Sequence, residues 1–159
     1  MRVEYINPFV EAAFNVLKEV LNSDVKRGDL YLKSSTMQIM GVAALVGLAG
    51  DVEGRVLFDM TKETALAVAS GMNGEKMDVV DDMVKATITE LANMITAQAV
   101  TKLHDLGFKF DLTPPALFTG DNMEISNNLE VEALIVPMEI GTGGKDGKIE
   151  INVVIRERS

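Results

Sequence analysis

Apolar residues recur at three- and four-residue spacing through Ile6, Val10, Ala13, Phe14, Leu17, Val20 and Leu21, which predicts an amphipathic helix over residues 6–21. Asn7 followed by Pro8 reads as an N-cap with proline at the first helical position, and Asn22-Ser23-Asp24 reads as the stop. The pattern then changes. Leu30-Tyr31-Leu32, the apolar run over residues 37–49 and Val56-Leu57-Phe58 read as strands, with a hairpin around Gly50 to Gly54. The small residues from Gly41 to Leu48 also admit a buried helix, against which Gly41, Gly47 and Gly50 count.

Thr61 can cap a second helix over residues 61–70, with Leu66 and Ala69 facing inward and Gly71-Met72-Asn73-Gly74 ending it. The longest predicted element covers residues 78–106. It has no internal Gly or Pro, Gly107 stops it, and Asp78, Asp81 and Asp82 all suit its cap or first turn. Strands return over residues 108–112, 116–119, 130–140 and 148–156. The last alternates Ile149, Ile151, Val153 and Ile155 with Glu150, Asn152 and Arg156, as a sheet with one drier and one wetter face requires. The glycine-rich stretch over residues 141–147 has phosphate-loop spacing, but no helix follows to supply the backbone N–H groups, so it reads as a flexible hairpin loop. The expected architecture is α+β: a single domain over residues 1–159, a largely antiparallel sheet with long helices packed on one face.

Composition narrows the chemistry. With 15 Lys and Arg against 24 Asp and Glu, the net charge of −9 repels phosphate backbones and anionic lipid, so neither nucleic acid nor membrane is an expected partner. The absence of cysteine removes disulfides, thiolate nucleophiles and zinc–thiolate sites, and a single His104 removes a two-histidine metal site. Met1-Arg2-Val3-Glu4-Tyr5 lacks the basic-then-apolar pattern of an export signal, and no apolar run reaches the roughly 18 residues of a membrane span, so a soluble cytoplasmic protein is expected. No Gly-x-Ser-x-Gly, Walker-type loop, His-Glu-x-x-His or calcium loop occurs. His104 reads as a partner of the helix C-terminal dipole rather than an acid or base, and the ten methionines read as core filling.

At about 100° per residue, the long helix places Val84, Ile88, Leu91, Ile95, Ala99 and Leu106 on one stripe, its predicted buried side. Opposite fall Ala86, Glu90, Asn93, Ala97 and Thr101. A carboxylate and an amide then stand one turn apart among short side chains, on a face flat enough for another protein to approach closely. Spacing alone does not separate such a face from an ordinary solvated one.

The surrounding residues add specificity. Glu90-Leu91-Ala92-Asn93-Met94, followed after the helix by Asp111-Leu112-Thr113-Pro114-Pro115, resembles the CheC/CheX family of phosphatases, whose mark is Glu-x-x-Asn on a long helix with a proline about 22 residues downstream. Ile6-Asn7-Pro8-Phe9, the small-residue strand from Gly41 to Gly50 and Thr64-Ala65-Leu66 are similar to the CheX branch, as is the presence of one motif copy rather than two. The family pattern often has Ser or Asp four residues before the glutamate, where this chain has Ala86. The resemblance implies an enzyme that hydrolyses the aspartyl phosphate on a response-regulator receiver domain of CheY type. Asn93 would orient the attacking water, Glu90 would pair with a receiver lysine, and Ala86, Ala97 and Thr101 would line the docking face. It implies no cofactor of the chain's own, a magnesium ion on the partner receiver, and a homodimer. The alternative is a noncatalytic receiver-binding or flagellar-switch-like module, against which the retention of both Glu90 and Asn93 counts.

Overall fold

The structure, a computed structural model, describes residues 3–33, 37–126, 132–141 and 147–157. Its elements run α1 (Val3–Leu21), β1 (Lys26–Arg27), β2 (Tyr31–Lys33), β3 (Met37–Gln38), β4 (Val42–Gly50), β5 (Val52–Met60), α2 (Lys62–Asn73), α3 (Asp82–Asp105), β6 (Phe110–Leu112), β7 (Ala116–Thr119), β8 (Glu124–Ile125), β9 (Ala133–Glu139) and β10 (Lys148–Glu157). The main sheet is ordered β1-β9-β10-β5-β4-β6, with β2 also on β9 and β7 also on β4, while β3 and β8 form a separate ribbon. Every pairing is antiparallel, as expected of an α+β fold.

One face of the sheet carries Val42, Ala44, Val46 and Leu48 of β4, Val56, Phe58 and Met60 of β5, and Ile149, Ile151, Val153 and Ile155 of β10. These share a core with Phe9, Ala13 and Leu17 of α1 and with Ile88, Leu91, Ile95 and Ala99 of α3. The helices therefore sit on the face that the period-two pattern makes apolar.

The opposite face corrects an expectation. Glu150 is 4% exposed and Asn152 fully buried, so the side of β10 predicted to be wetter is covered over most of its length, with Arg156 near its end exposed as expected. Ile39, Met123 and Ile125, which flank or belong to the β3–β8 ribbon, pack with Ala43 and Leu57. At the far margin Tyr31 of β2 donates its hydroxyl to Glu150. The cover comes from strands of two or three residues, too short to leave a periodic signal. The price is a set of buried polar groups. Arg55 donates from Nη1 to Asn152 Oδ1 at 2.8 Å, and its Nε and Nη2 have no partner among the described residues. Asp59 lies in register with Glu150 and accepts from the Met40 N–H at 3.0 Å through Oδ1. Burial first, with the Glu150 charge adding to it against the Met40 N–H, raises the Asp59 carboxyl from its ordinary 3.8 to about 6.

The helices differ from their predicted bounds for local reasons. α1 starts at Val3, placing Pro8 inside the helix rather than at its first position. The proline forgoes the bond that an N–H there would make to the Glu4 carbonyl. Burial of Tyr5, Ile6 and Phe9 in the same turns offsets that loss, and Tyr5 meets Phe108 edge-on at 5.0 Å. α2 is capped by Thr61, whose hydroxyl accepts from the Thr64 N–H, and continues past Gly71 to end on left-handed Gly74. α3 begins at Asp82 rather than at 78, because Asp81 is the residue whose carboxylate accepts from the Val84 N–H. The apolar run over 37–49 is broken at Gly41, φ 152°, into β3 and β4. β6 starts at Phe110 rather than 108. The predicted strand over 130–140 is β9, its first two residues and the loop reading over 142–146 lying outside the described residues.

Two outcomes are expected. Asp59 has a higher pKa folded than unfolded, so its contribution to stability is full below about pH 4 and is lost as pH rises through about 6, on the order of 3 kcal/mol in all. Urea titrations of wild type and Asp59→Asn at several pH values should diverge in slope over that window; parallel curves would refute this account. At Gly54, φ 148°, an added Cβ would lie 1.8 Å from the Val154 carbonyl oxygen of the paired strand. Gly54→Ala should therefore cost about 3 kcal/mol or more in thermal or chemical denaturation.

Candidate active site on helix α3

Of the residues in α3, Val84, Ile88, Leu91, Ala92, Ile95, Ala99, Val100 and Leu103 are buried together with Thr87 and Thr96, an arc of roughly 220° around the axis. Leu106 does not join them. It is the C-cap, the chain leaves the helical path there, and its side chain is 59% exposed, with Leu103 filling the core one turn earlier.

The remaining arc is open. Ala86, Glu90, Asn93, Ala97 and Thr101 are all exposed, and they fall within roughly 80° of one another. Glu90 and Asn93, three residues apart, have Cβ atoms about 5–6 Å from each other. Neither side chain has a hydrogen-bond or ion-pair partner among the described residues. The neighbouring hydroxyls are committed to the helix itself: Thr89 donates to the Lys85 carbonyl at 2.9 Å and Thr101 to the Ala97 carbonyl at 2.9 Å. Thr87 and Thr96 do the same from the buried side. A carboxylate and an amide therefore project from a helix whose hydroxyls are internally satisfied, with the short side chains of Ala86 and Ala97 on the same exposed line and the half-buried Thr89 and Met94 at its sides.

This face is a ridge rather than a pocket. Two depressions of about 510 and 440 Å³ occur elsewhere, one lined by His104, Gly107 and Phe108 to Asp111, the other by Val10, Phe14, Arg27 and Met138. Neither includes Glu90 or Asn93. No cluster of three or more acidic or histidine side chains that could hold a metal ion occurs among the described residues. His104 makes only a long contact, 3.4 Å from Nε2 to the Phe110 carbonyl, and stacks edge-on against the Phe110 ring. No helix among the described residues is long and apolar enough to cross a membrane.

The strand beyond the helix bears on the same region. Thr113 accepts from the Gly47 N–H at 2.8 Å through Oγ1 and donates its own N–H to the Gly47 carbonyl at 3.0 Å. Pro114 and Pro115 follow, between β6 and β7, and both strands pair with β4. The prolines thus shape the margin of the sheet beside α3, a structural task.

One exposed side chain on the ridge was not anticipated. Met83, expected in the core like the other methionines, is 54% exposed, whereas Met60 and Met138 are fully buried. The available signal was angular: Met83 precedes Glu90 by seven residues, two turns along the same line.

Comparison with known proteins agrees with the motif. Residues 42–139 match the family described as chemotaxis phosphatase CheX. The CheY-P phosphatase CheX of Thermotoga maritima is 27% identical over 128 residues, covering 80% of this chain and 83% of the relative. The crystal structure of the CheX-CheY-BeF3-Mg+2 complex from Borrelia burgdorferi contains a chain 49% identical, with TM-score 0.83 over 98% of this chain and 100% of that one. A CheC-like superfamily protein from Shewanella sp. PV-4 superposes with TM-score 0.86 at 29% identity, covering 98% of this chain and 99% of that one. With more than half of its length matched and its fold shared end to end, this chain belongs to the chemotaxis phosphatase CheX family.

Proposed function

We propose that the chain is a cytoplasmic phosphatase that hydrolyses the aspartyl phosphate of a CheY-like receiver domain, with Asn93 positioning the water and Glu90 fixing the docked register. The observation that carries this reading is the joint, unobstructed exposure of the two side chains one turn apart on α3. The family and the CheY-P phosphatase and CheX-CheY descriptions of its relatives supply the substrate class.

A receiver phosphoaspartate is already a reactive acyl phosphate, so the phosphatase has one task, to place a water in line with the bond that breaks. An amide suits that task because it donates and accepts at once without becoming a nucleophile. With Asn93 Oδ1 accepting from the water, the water oxygen bonds to phosphorus as the aspartate oxygen departs, and both of its protons leave on the dihydrogen phosphate. Glu90, a turn away, reaches the same cleft and pairs with a receiver lysine, setting the register within which the amide is useful. Ala86 and Ala97 provide clearance, and Thr101, its hydroxyl already engaged, adds no competing polar contact. Magnesium, named with the Borrelia burgdorferi complex, belongs to the receiver and neutralises phosphoryl charge there.

Release of labelled phosphate from a phosphorylated receiver at substoichiometric protein tests the reading. Asn93→Ala should lower turnover about 100-fold while changing receiver affinity little, because the amide acts mainly in the transition state. Glu90→Lys should weaken binding about tenfold or more, since it sets two cations face to face. Stable binding without release would assign the chain to the noncatalytic class, and wild-type rates from both variants would remove the site.

A further inference from the structure

The line that carries Glu90 continues toward the start of α3. Met83 stands about 10.5 Å before Glu90 along the axis and within about 20° of it in angle, separated by two helical turns. Val79, just ahead of the helix, is 68% exposed and Met83 54%. Their neighbours Met77, Val80 and Met94 pack on the core, whereas Val79 and Met83 do not. Around them stand the exposed carboxylates Asp78, Asp81 and Asp82, two of them already engaged, Asp81 by the Val84 N–H and Asp78 3.7 Å from Lys76.

We infer that Val79 and Met83 form an apolar anchor for the phosphorylated receiver, packing against an apolar surface rimmed by Lys or Arg beside the phosphorylation site. The inference rests on the reading of Glu90 and Asn93 and adds the part of the interface that determines affinity. A stable contact covers about 800 Å² per partner, far more than two polar tips can bury, so a receiver seated over Asn93 covers neighbouring surface as well, and the rest of the ridge is the surface in line with both tips. Toward the C-terminus the ridge offers the short side chains of Ala97 and Thr101. Toward the N-terminus it offers the Met83 thioether held out in water one turn from Ala86, with Val79 exposed three residues before the helix begins. Interfaces draw most of their energy from a few such anchors, and methionine adapts to the shape it meets. The carboxylate rim favours a basic surround and disfavours an acidic one, which gives this end of the ridge a means of choosing among receivers.

Leu106 provides a matched control: it is 59% exposed, lies about 20 Å beyond Asn93, and sits off the ridge. Affinity for a receiver activated with beryllofluoride and magnesium, and phosphate release at saturating receiver, should be measured for Met83→Ala, Met83→Lys, Val79→Lys, Leu106→Lys and Asn93→Ala. Met83→Lys should raise Kd at least tenfold and Met83→Ala about fivefold, with turnover at saturation within twofold of wild type and Leu106→Lys unchanged. Met83→Lys binding within twofold of wild type, or Leu106→Lys weakening binding equally, overturns the anchor. Loss of turnover in Asn93→Ala beside unchanged affinity in Met83→Lys refutes the anchor alone; wild-type turnover in Asn93→Ala refutes the underlying site.

Discussion

The direction in which Glu90 and Asn93 point is fixed by what lies beneath them. Val84, Ile88, Leu91, Ile95 and Ala99 are buried against the sheet and the neighbouring helices, so α3 cannot roll about its axis without bringing apolar side chains into water. Burying each such side chain is worth about 1.5–3 kcal/mol, and a roll would forfeit several at once. Thr87 reinforces this across helices, its Oγ1 accepting from Asn73 Nδ2 of α2 at 2.9 Å. A rigid mount matters for the role proposed for Asn93, because displacement of a water-positioning group by about an ångström is enough to lose most of its effect.

A convex site divides the labour between two proteins. In the proposed mechanism the receiver contributes the reactive bond and the cleft, and the phosphatase contributes one oriented amide and the contacts that seat it. This accounts for a chain with none of the familiar enzyme signatures: pocket, nucleophile and metal cluster are not required of the partner that inserts. It also explains why the two residues look so ordinary. A carboxylate and an amide on a solvent-facing helix acquire meaning only from their clearance and from the protein that receives them.

Much of the architecture was legible because it was written in periodicity. The apolar stripe of α3 and the alternation of β10 each specify which side meets the core, and the positions of Glu90 and Asn93 followed from the first of these. What was hidden depends on residues distant in sequence. Glu150 and Asn152 read as the wetter side until short strands cover that face of the sheet, Tyr31 of β2 reaching Glu150 and the β3–β8 ribbon packing beside Leu57. Pro8 read as a helix start because the gain from seating Tyr5 against Phe108 is invisible locally. Leu106 continued the stripe on paper, yet a helix ends where its cap is, not where its pattern does. Met83 was hidden by averaging, since a methionine among nine others reads as filler until its exposure is seen.

The Thr113 clamp on Gly47 and the two prolines after it have a consequence for the cell as well as for the fold. β4 and β5 are long and apolar, the kind of strand that would template ordered aggregation if its backbone ladder lay open to other chains. The outer rim of β4 is instead closed by two strands of three and four residues with Pro-Pro between them, which interrupts the run of free donors. Crowded copies of this protein therefore meet a short, proline-interrupted margin on that side rather than the open ladder of β4.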